Sequence, residues 1–303
     1  MNAKSKKYEI VNLGPEFELF WLKAKDRTFD EQLKIWNEIV EIPNQEYFEG
    51  LVNNSVQDKE WNDRKTKRLS EAFKKYQTDF ESIDNLFKTF NTTLVHQVEN
   101  YKKFFPDADF NLPIIAMPGA SFNGKGGSTA SHELVLAFGM DMIHFLDGNP
   151  DVLYSHELFH IYHLKKADIT VDYFMKSGKM TLPLLLEGLA TYASYKMNPT
   201  ASLDDILMDK NLSKLTAEDE RYLAKMFLTI ADDKAYNEAQ PENHRKWFGY
   251  KREKLIADLP DRTGYYLGLK VVEKLEKRYP LIEMSSWHPS VAHEHILEEL
   301  KKY

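Results

Sequence analysis

Between residues 17 and 101, apolar side chains return every three or four positions, the period of helices that bury one face. In residues 31–41, Leu33, Ile35, Trp36, Ile39 and Val40 predict a helix, and Ile42-Pro43-Asn44 ends it. Residues 47–52 and 61–76 predict two more, the second strongly charged on one side. Residues 79–101 set Phe80, Ile83, Leu86, Phe87 and Phe90 on one stripe, which reads as a packed helical layer before a partner-binding face. No internal repeat and no low-complexity segment interrupts the pattern.

The period then changes. Phe105-Pro106-Asp107 predicts a turn, and residues 110–117 (FNLPIIAM) predict a short strand, with Pro113 at a strand start or on an edge. The glycine-rich FNGKGGS, residues 122–128, has no phosphate-binding spacing and reads as a hairpin turn. Residues 132–139 predict the second strand. An extended peptide could add itself to such a strand through backbone hydrogen bonds, which makes 134–139 the expected substrate edge, with Leu134, Leu136, Phe138 and Gly139 in contact. Helical spacing resumes at 149–163, 182–196, 203–208, 217–231, 262–277 and 289–303. Residues 235–250 are polar with several aromatics and predict an irregular lid, in which His244, Trp247, Phe248 and Tyr250 pack rather than line a groove. The expected class is therefore α+β and mostly helical. Residues 1–104 form a helical region, and 105–303 hold a small sheet and the remaining helices.

Composition narrows the functional classes. The chain has 303 residues, 43% of them hydrophobic, enough for one large or two closely packed cores. Forty basic against 47 acidic residues, a net charge of -7, is the opposite of a nucleic-acid binder's footprint. No apolar run is long enough to span a bilayer. The opening MNAKSKKYEI carries lysines without the apolar segment of a signal peptide, which leaves the compartment open. With no cysteine, a transition-metal site must be built from His, Asp and Glu.

Such a site is suggested by His156-Glu157-Leu158-Phe159-His160, an H-E-x-x-H motif inside the predicted 149–163 helix. Positions i and i+4 share a face, so both imidazoles can address one ion. Glu157 sits about 100° around the helix, beside the ion, where a carboxylate can take a proton from an activated water. Zinc suits two imidazoles and an open position. Coincidence is the competing reading, but a chance match would often fall in a loop. Here Asn149 and Asp151 can cap the helix, while Leu153, Leu158, Ile161 and Leu164 can anchor it.

Two histidines leave a zinc site one ligand short. Glu187 is a lone carboxylate in LPLLLEGLATYASYK, where an unpaired charge would cost several kcal/mol. A metal would remove that cost; so would a buried Arg or Lys partner. Gly188, Ala190 and Ser194 are small enough for this helix to approach the His156 helix closely.

HELFH followed by EGLATY resembles the gluzincin class of zinc metallopeptidases, which combine HExxH with a Glu on a later helix. GKGGSTASHELVLAFGMD, PDVLYSHELFHIYH, EGLATY and the late GYYLG together resemble the DUF2268 family of predicted zinc-dependent proteases, over roughly residues 110–275. The resemblance implies a zincin-like fold and one Zn2+ per chain. It further implies His156, His160 and Glu187 as ligands, Glu157 as general base, and a peptide or protein substrate. Some gluzincins place an Asp four residues after the ligand Glu to orient a histidine; here Thr191 stands there. His163 falls one turn beyond His160 without matching a third-ligand pattern, and reads as pocket-lining or outer-shell. In this class a Tyr or His donates to the oxyanion. The family's GYxxG segment matches Gly264, Tyr265 and Gly268, making Tyr265 the first choice and Tyr266 the alternative. Rival readings are a zincin fold kept only for binding, which would have no use for Glu157, and a zinc hydrolase of a non-peptide amide.

Overall fold

The computed structural model describes residues 8–53, 59–119, 121–236, 242–249 and 258–303. It is mostly helical with one four-stranded sheet, as the patterning predicts. Two compact units make up the chain: Met1–Glu99 with Asp109–Pro150, and Asn100–Ala108 with Asp151–Tyr303. This corrects the expected division at 104/105, because the sheet belongs with the N-terminal helices.

The first unit's sheet explains why. Its strands are β1 (Glu9–Asn12), β2 (Pro113–Met117), β3 (Gly124–Gly127) and β4 (Val135–Gly139), in the order β1-β2-β4-β3. β1, β2 and β4 run parallel, and β3 is antiparallel on the outer edge. The sheet thus needs the N-terminal segment as a strand. β2 and β4 are buried at every position, as continuous apolar runs covered on both faces should be. Phe138 of β4 meets Phe90 of the Lys59–Phe104 helix at 5.9 Å between ring centroids. Asn12 donates to the Phe87 carbonyl of that helix at 2.9 Å.

The topology overturns the expected substrate edge. Leu136, Phe138 and Gly139 lie on β4, which is paired with β2 on one side and β3 on the other, so its backbone groups are already used. Leu134 precedes the strand and is exposed. The glycines expected to turn a hairpin between the 110–117 and 132–139 strands are themselves the edge strand β3. It is β3 that pairs antiparallel with β4, while β2 and β4 run parallel, so the expected hairpin is not formed.

The helices expected at 61–76 and 79–101 are one helix, Lys59–Phe104. No Gly or Pro occurs within it, and at the expected break Thr78 turns its hydroxyl back to the Lys75 carbonyl (3.1 Å), so nothing stops propagation. Phe29–Trp36 starts at Thr28 with a full capping box to Glu31. It then loosens into a π-helical turn, Asn37–Glu41, and a second π-turn covers Phe48–Val52.

In the second unit, the helices that carry the site are Pro150–Lys166, Thr181–Met197 and Thr263–Leu275. The last two cross backbone to backbone. A Cβ at Gly188 would come within 2.6 Å of the Gly268 carbonyl oxygen, and one at Gly268 within 2.8 Å of the Leu184 oxygen. Gly188 therefore serves contact with the Thr263–Leu275 helix, not the expected approach to the His156 helix. The expected lid at 235–250 contains a helix, Glu242–Phe248, with Trp247 buried against Phe227 at 4.9 Å. Among the described residues, no helix is long and apolar enough to cross a membrane.

Candidate metal centre

The Pro150–Lys166 helix is held by apolar residues around most of its circumference, including Val152, Leu153, Leu158, Phe159 and Ile161. That packing fixes the helix, and its one polar stripe presents His156 and His160. Their Nε2 atoms stand 3.0 Å apart, with the rings nearly perpendicular at 82°. Glu187, mid-way along Thr181–Met197, brings Oε2 to 3.2 Å from His156 Nε2 and 3.5 Å from His160 Nε2. Among the described residues, Glu187 bonds the two histidines and no Lys or Arg.

Two imidazole nitrogens and one carboxylate oxygen are a suitable donor set for a divalent ion, and these three are the candidate ligands. Ligands at 2.0–2.1 Å around a tetrahedral ion stand about 3.3–3.4 Å from one another. The observed 3.0, 3.2 and 3.5 Å bracket that value, so the residues fit such a group with little movement. His156 is buried, while the side chains of His160 and Glu187 keep 19% and 20% of their surface, which leaves an approach from solvent.

The electrostatics suit the same use. Burial pulls His156 down to about 4 against the opposing pull of its bond to Glu187, which keeps the imidazole neutral and able to ligate. Burial would raise Glu187, but the His160 ring and the bonds from His156 and His160 outweigh it, and the carboxylate is held well below its ordinary range. Glu157, half-buried on the neighbouring face, is pushed up to about 7 by burial, with His160 and Arg262 opposing and Glu187 reinforcing. A carboxylate poised there can accept a proton and give it back near neutrality.

Tyr265 lies against the triad. Its ring stacks on the His156 ring with centroids 6.1 Å apart and planes 20° from parallel, and Phe248 meets it edge-on at 6.2 Å. Burial, reinforced by Glu187, raises the phenol well above its usual range, so it remains a proton donor. Tyr266, the alternative, turns away and donates to the Leu215 carbonyl at 3.4 Å.

Two expected outer-shell roles are not realised. Thr191 is fully buried, but among the described residues its hydroxyl has no hydrogen-bond partner, and neither does His156 Nδ1, so none of them makes the expected orienting bond. His163 is buried with no partner at either ring nitrogen among the described residues, and burial lowers it to about 3. It packs on Phe159 at 5.6 Å as a neutral core residue instead of lining the site. His244 lies between Phe174 and Phe248, at 6.1 and 5.3 Å, and Tyr250 falls outside the described residues.

Sequence reasoning missed Arg262. It is buried, its guanidinium lies 3.7 Å over the Tyr265 ring, and one of its nitrogens donates to the Met208 carbonyl at 3.3 Å. Its backbone is left-handed, with φ 59°, and it occupies the N-cap of Thr263–Leu275. A cation at the positive end of a helix, in a conformation that disfavours side chains, is doubly unfavourable locally. Residues kept at such a cost cluster at functional sites. The signal was an Arg at the very start of the predicted 262–277 helix, legible as an N-cap only once the helix is seen to begin at Thr263.

Comparisons with protein-family models, curated proteins and solved structures return no match to this chain.

Proposed function

We propose that the chain is a zinc-dependent metallopeptidase with a zincin-like, gluzincin-type site, hydrolysing peptide bonds in a peptide or protein substrate. The observation that carries the reading is the convergence of His156, His160 and Glu187 on one point, with Glu157 beside it tuned to about 7. One zinc ion held by these three residues would supply the Lewis acidity that makes water acidic near neutrality and polarises a carbonyl oxygen.

The protein's own groups do the rest. Glu157 accepts the proton of the attacking water and passes it to the nitrogen of the leaving amine as the C–N bond breaks. Its burial supports both transfers, because a carboxylate near 7 is a stronger base than a solvated one and still gives its proton up. The Tyr265 hydroxyl donates to the oxygen that becomes negative in the tetrahedral intermediate, a contribution typically worth ~3 kcal/mol. Arg262, stacked on that ring, adds positive potential where the negative charge develops.

The test is Glu157→Gln, assayed for cleavage of a peptide library alongside zinc content and thermal melting. Glutamine is nearly isosteric, so bound zinc and melting stay as in the wild type while turnover falls by about 10⁴-fold. Retained cleavage with zinc bound removes Glu157 from the reaction; loss of zinc together with cleavage makes it a structural residue.

A further inference from the structure

The first unit contains a cavity of about 290 Å³ that the proposed peptidase reaction does not use. Its walls are aromatic and buried: Trp36, Phe48 and Trp61, with Leu51 and Leu69 behind them. Its rim is cationic. Arg64, Lys65, Arg68 and Lys125 border it, against a single acidic side chain, Glu41. Lys65 pairs with Glu41, to which Trp36 Nε1 also donates at 3.2 Å, and Arg64 pairs with Glu60, so the excess of positive charge rests on Arg68 and Lys125. Arg68 has no ion-pair partner among the described residues. An excess of positive charge at one cavity stands out on a chain whose net charge is -7.

The backbone around this cavity is unusual in a second, independent way. Both π-turns of the protein's described residues, Asn37–Glu41 and Phe48–Val52, contribute to its wall. A π-turn gives up regular helical bonding and is found disproportionately where side chains must be re-aimed for function. The second π-turn is pressed against the edge strand through Gly50, where a Cβ would lie 2.2 Å from the Ser128 carbonyl oxygen. From β3, Lys125 bonds the Leu51 carbonyl at 2.7 Å. The glycine-rich FNGKGGS segment, which has no part in the metal centre, thus supplies one of the cavity's cations, Lys125.

We propose that this cavity binds a small aromatic carboxylate, its flat apolar body between Trp36, Phe48 and Trp61 and its anionic group at the cationic rim. The volume is at the small end of the ~300–1,000 Å³ occupied by ligand sites, which fits a fused two-ring acid better than a long acyl chain. Buried aromatic walls reward a planar partner by stacking. The charges at the rim select its carboxylate through guanidinium and ammonium hydrogen bonds.

The probe is 2-naphthoate, titrated calorimetrically into the full chain, with 2-naphthamide and octanoate as comparisons. The expected result is saturable 1:1 binding with a Kd below about 100 μM, weakened about tenfold or more for the amide and for octanoate. Arg68→Gln combined with Lys125→Gln weakens naphthoate about tenfold while leaving the amide unchanged; both side chains are exposed, and circular dichroism verifies the fold. Trp61→Leu weakens naphthoate and amide together. Binding that persists in excess EDTA, with unchanged Kd, separates this site from the metal centre. No naphthoate binding up to about 1 mM, equal affinity for acid and amide, or insensitivity to the Arg68/Lys125 double substitution overturns the proposal.

Discussion

Substituting Gly188 by alanine probes whether the site depends on two helices touching through bare backbone. The added methyl would meet three backbone atoms of Gly268, its O, C and Cα, at 2.6, 2.7 and 2.9 Å. None of them can rotate away, so the helices must separate by roughly 0.5–1 Å to reach ordinary contact, an overpacking strain of about 1–3 kcal/mol. Alanine's helix propensity returns about 1 kcal/mol, leaving a net loss of up to about 2 kcal/mol and a Tm lower by up to about 8 °C. Activity should suffer more than stability. Glu187 precedes Gly188 on one helix and Tyr265 sits on the other, so the separation moves both relative to His156. A displacement near 1 Å can reduce turnover about 10²-fold. Gly268→Ala meets the Leu184 oxygen at 2.8 Å and the Gly188 Cα at 2.9 Å and should do the same more mildly. Gly126→Ala, with nothing within 4 Å of the new carbon, is the neutral control. Thermal melting and initial-rate kinetics on the three variants suffice. Gly188→Ala with wild-type melting and turnover would refute the reasoning.

Other consequences follow from the same geometry. Tyr265→Phe should lower kcat by roughly 10²-fold with KM nearly unchanged, while Tyr266→Phe, whose hydroxyl faces Leu215, stays within a few-fold of wild type. Arg262→Gln should lower kcat/KM by about tenfold or more without loss of zinc; a variant as fast as wild type would remove the cation from the reaction. Asp107 accepts from the Tyr162 hydroxyl at 3.1 Å and pairs with Lys166, tying down the end of the His156 helix, and its carboxyl is held below the usual range first by Lys166. A depressed carboxylate contributes stability above its unfolded pKa and loses it as pH falls through the folded one. Asp107→Asn should therefore melt lower than wild type at pH 7, by no more than about 1 kcal/mol for so exposed a pair, and the gap should close as pH falls below about 4.

What the sequence made legible was whatever is local. The i,i+4 histidines, the misfit carboxylate at 187 and the apolar runs of β2 and β4 follow from periodicity and from the cost of burying charge. Strand order was not legible, because β4 becomes an inner strand only once β3 and β2 pair on either side of it. β1 escaped notice because four residues, EIVN, beside a lysine-rich start carry too little alternation. The continuity of Lys59–Phe104 was hidden by polar Gln77-Thr78, which a helix tolerates. Arg262 depends on tertiary placement: only the fold lays its guanidinium on Tyr265. The Gly188 contact was legible as a close approach, but not as to which helix would fill it.

The central claim is that His156, His160 and Glu187 together hold one catalytic zinc ion. Its most direct test is the zinc content of protein purified without added metal, measured by elemental analysis on the wild type and on Glu187→Ala. The account predicts about one zinc per wild-type chain and well under half of that in the variant, with peptide cleavage falling in proportion. Wild-type protein that neither contains zinc nor takes it up, or a Glu187→Ala variant that keeps its full complement, would contradict it.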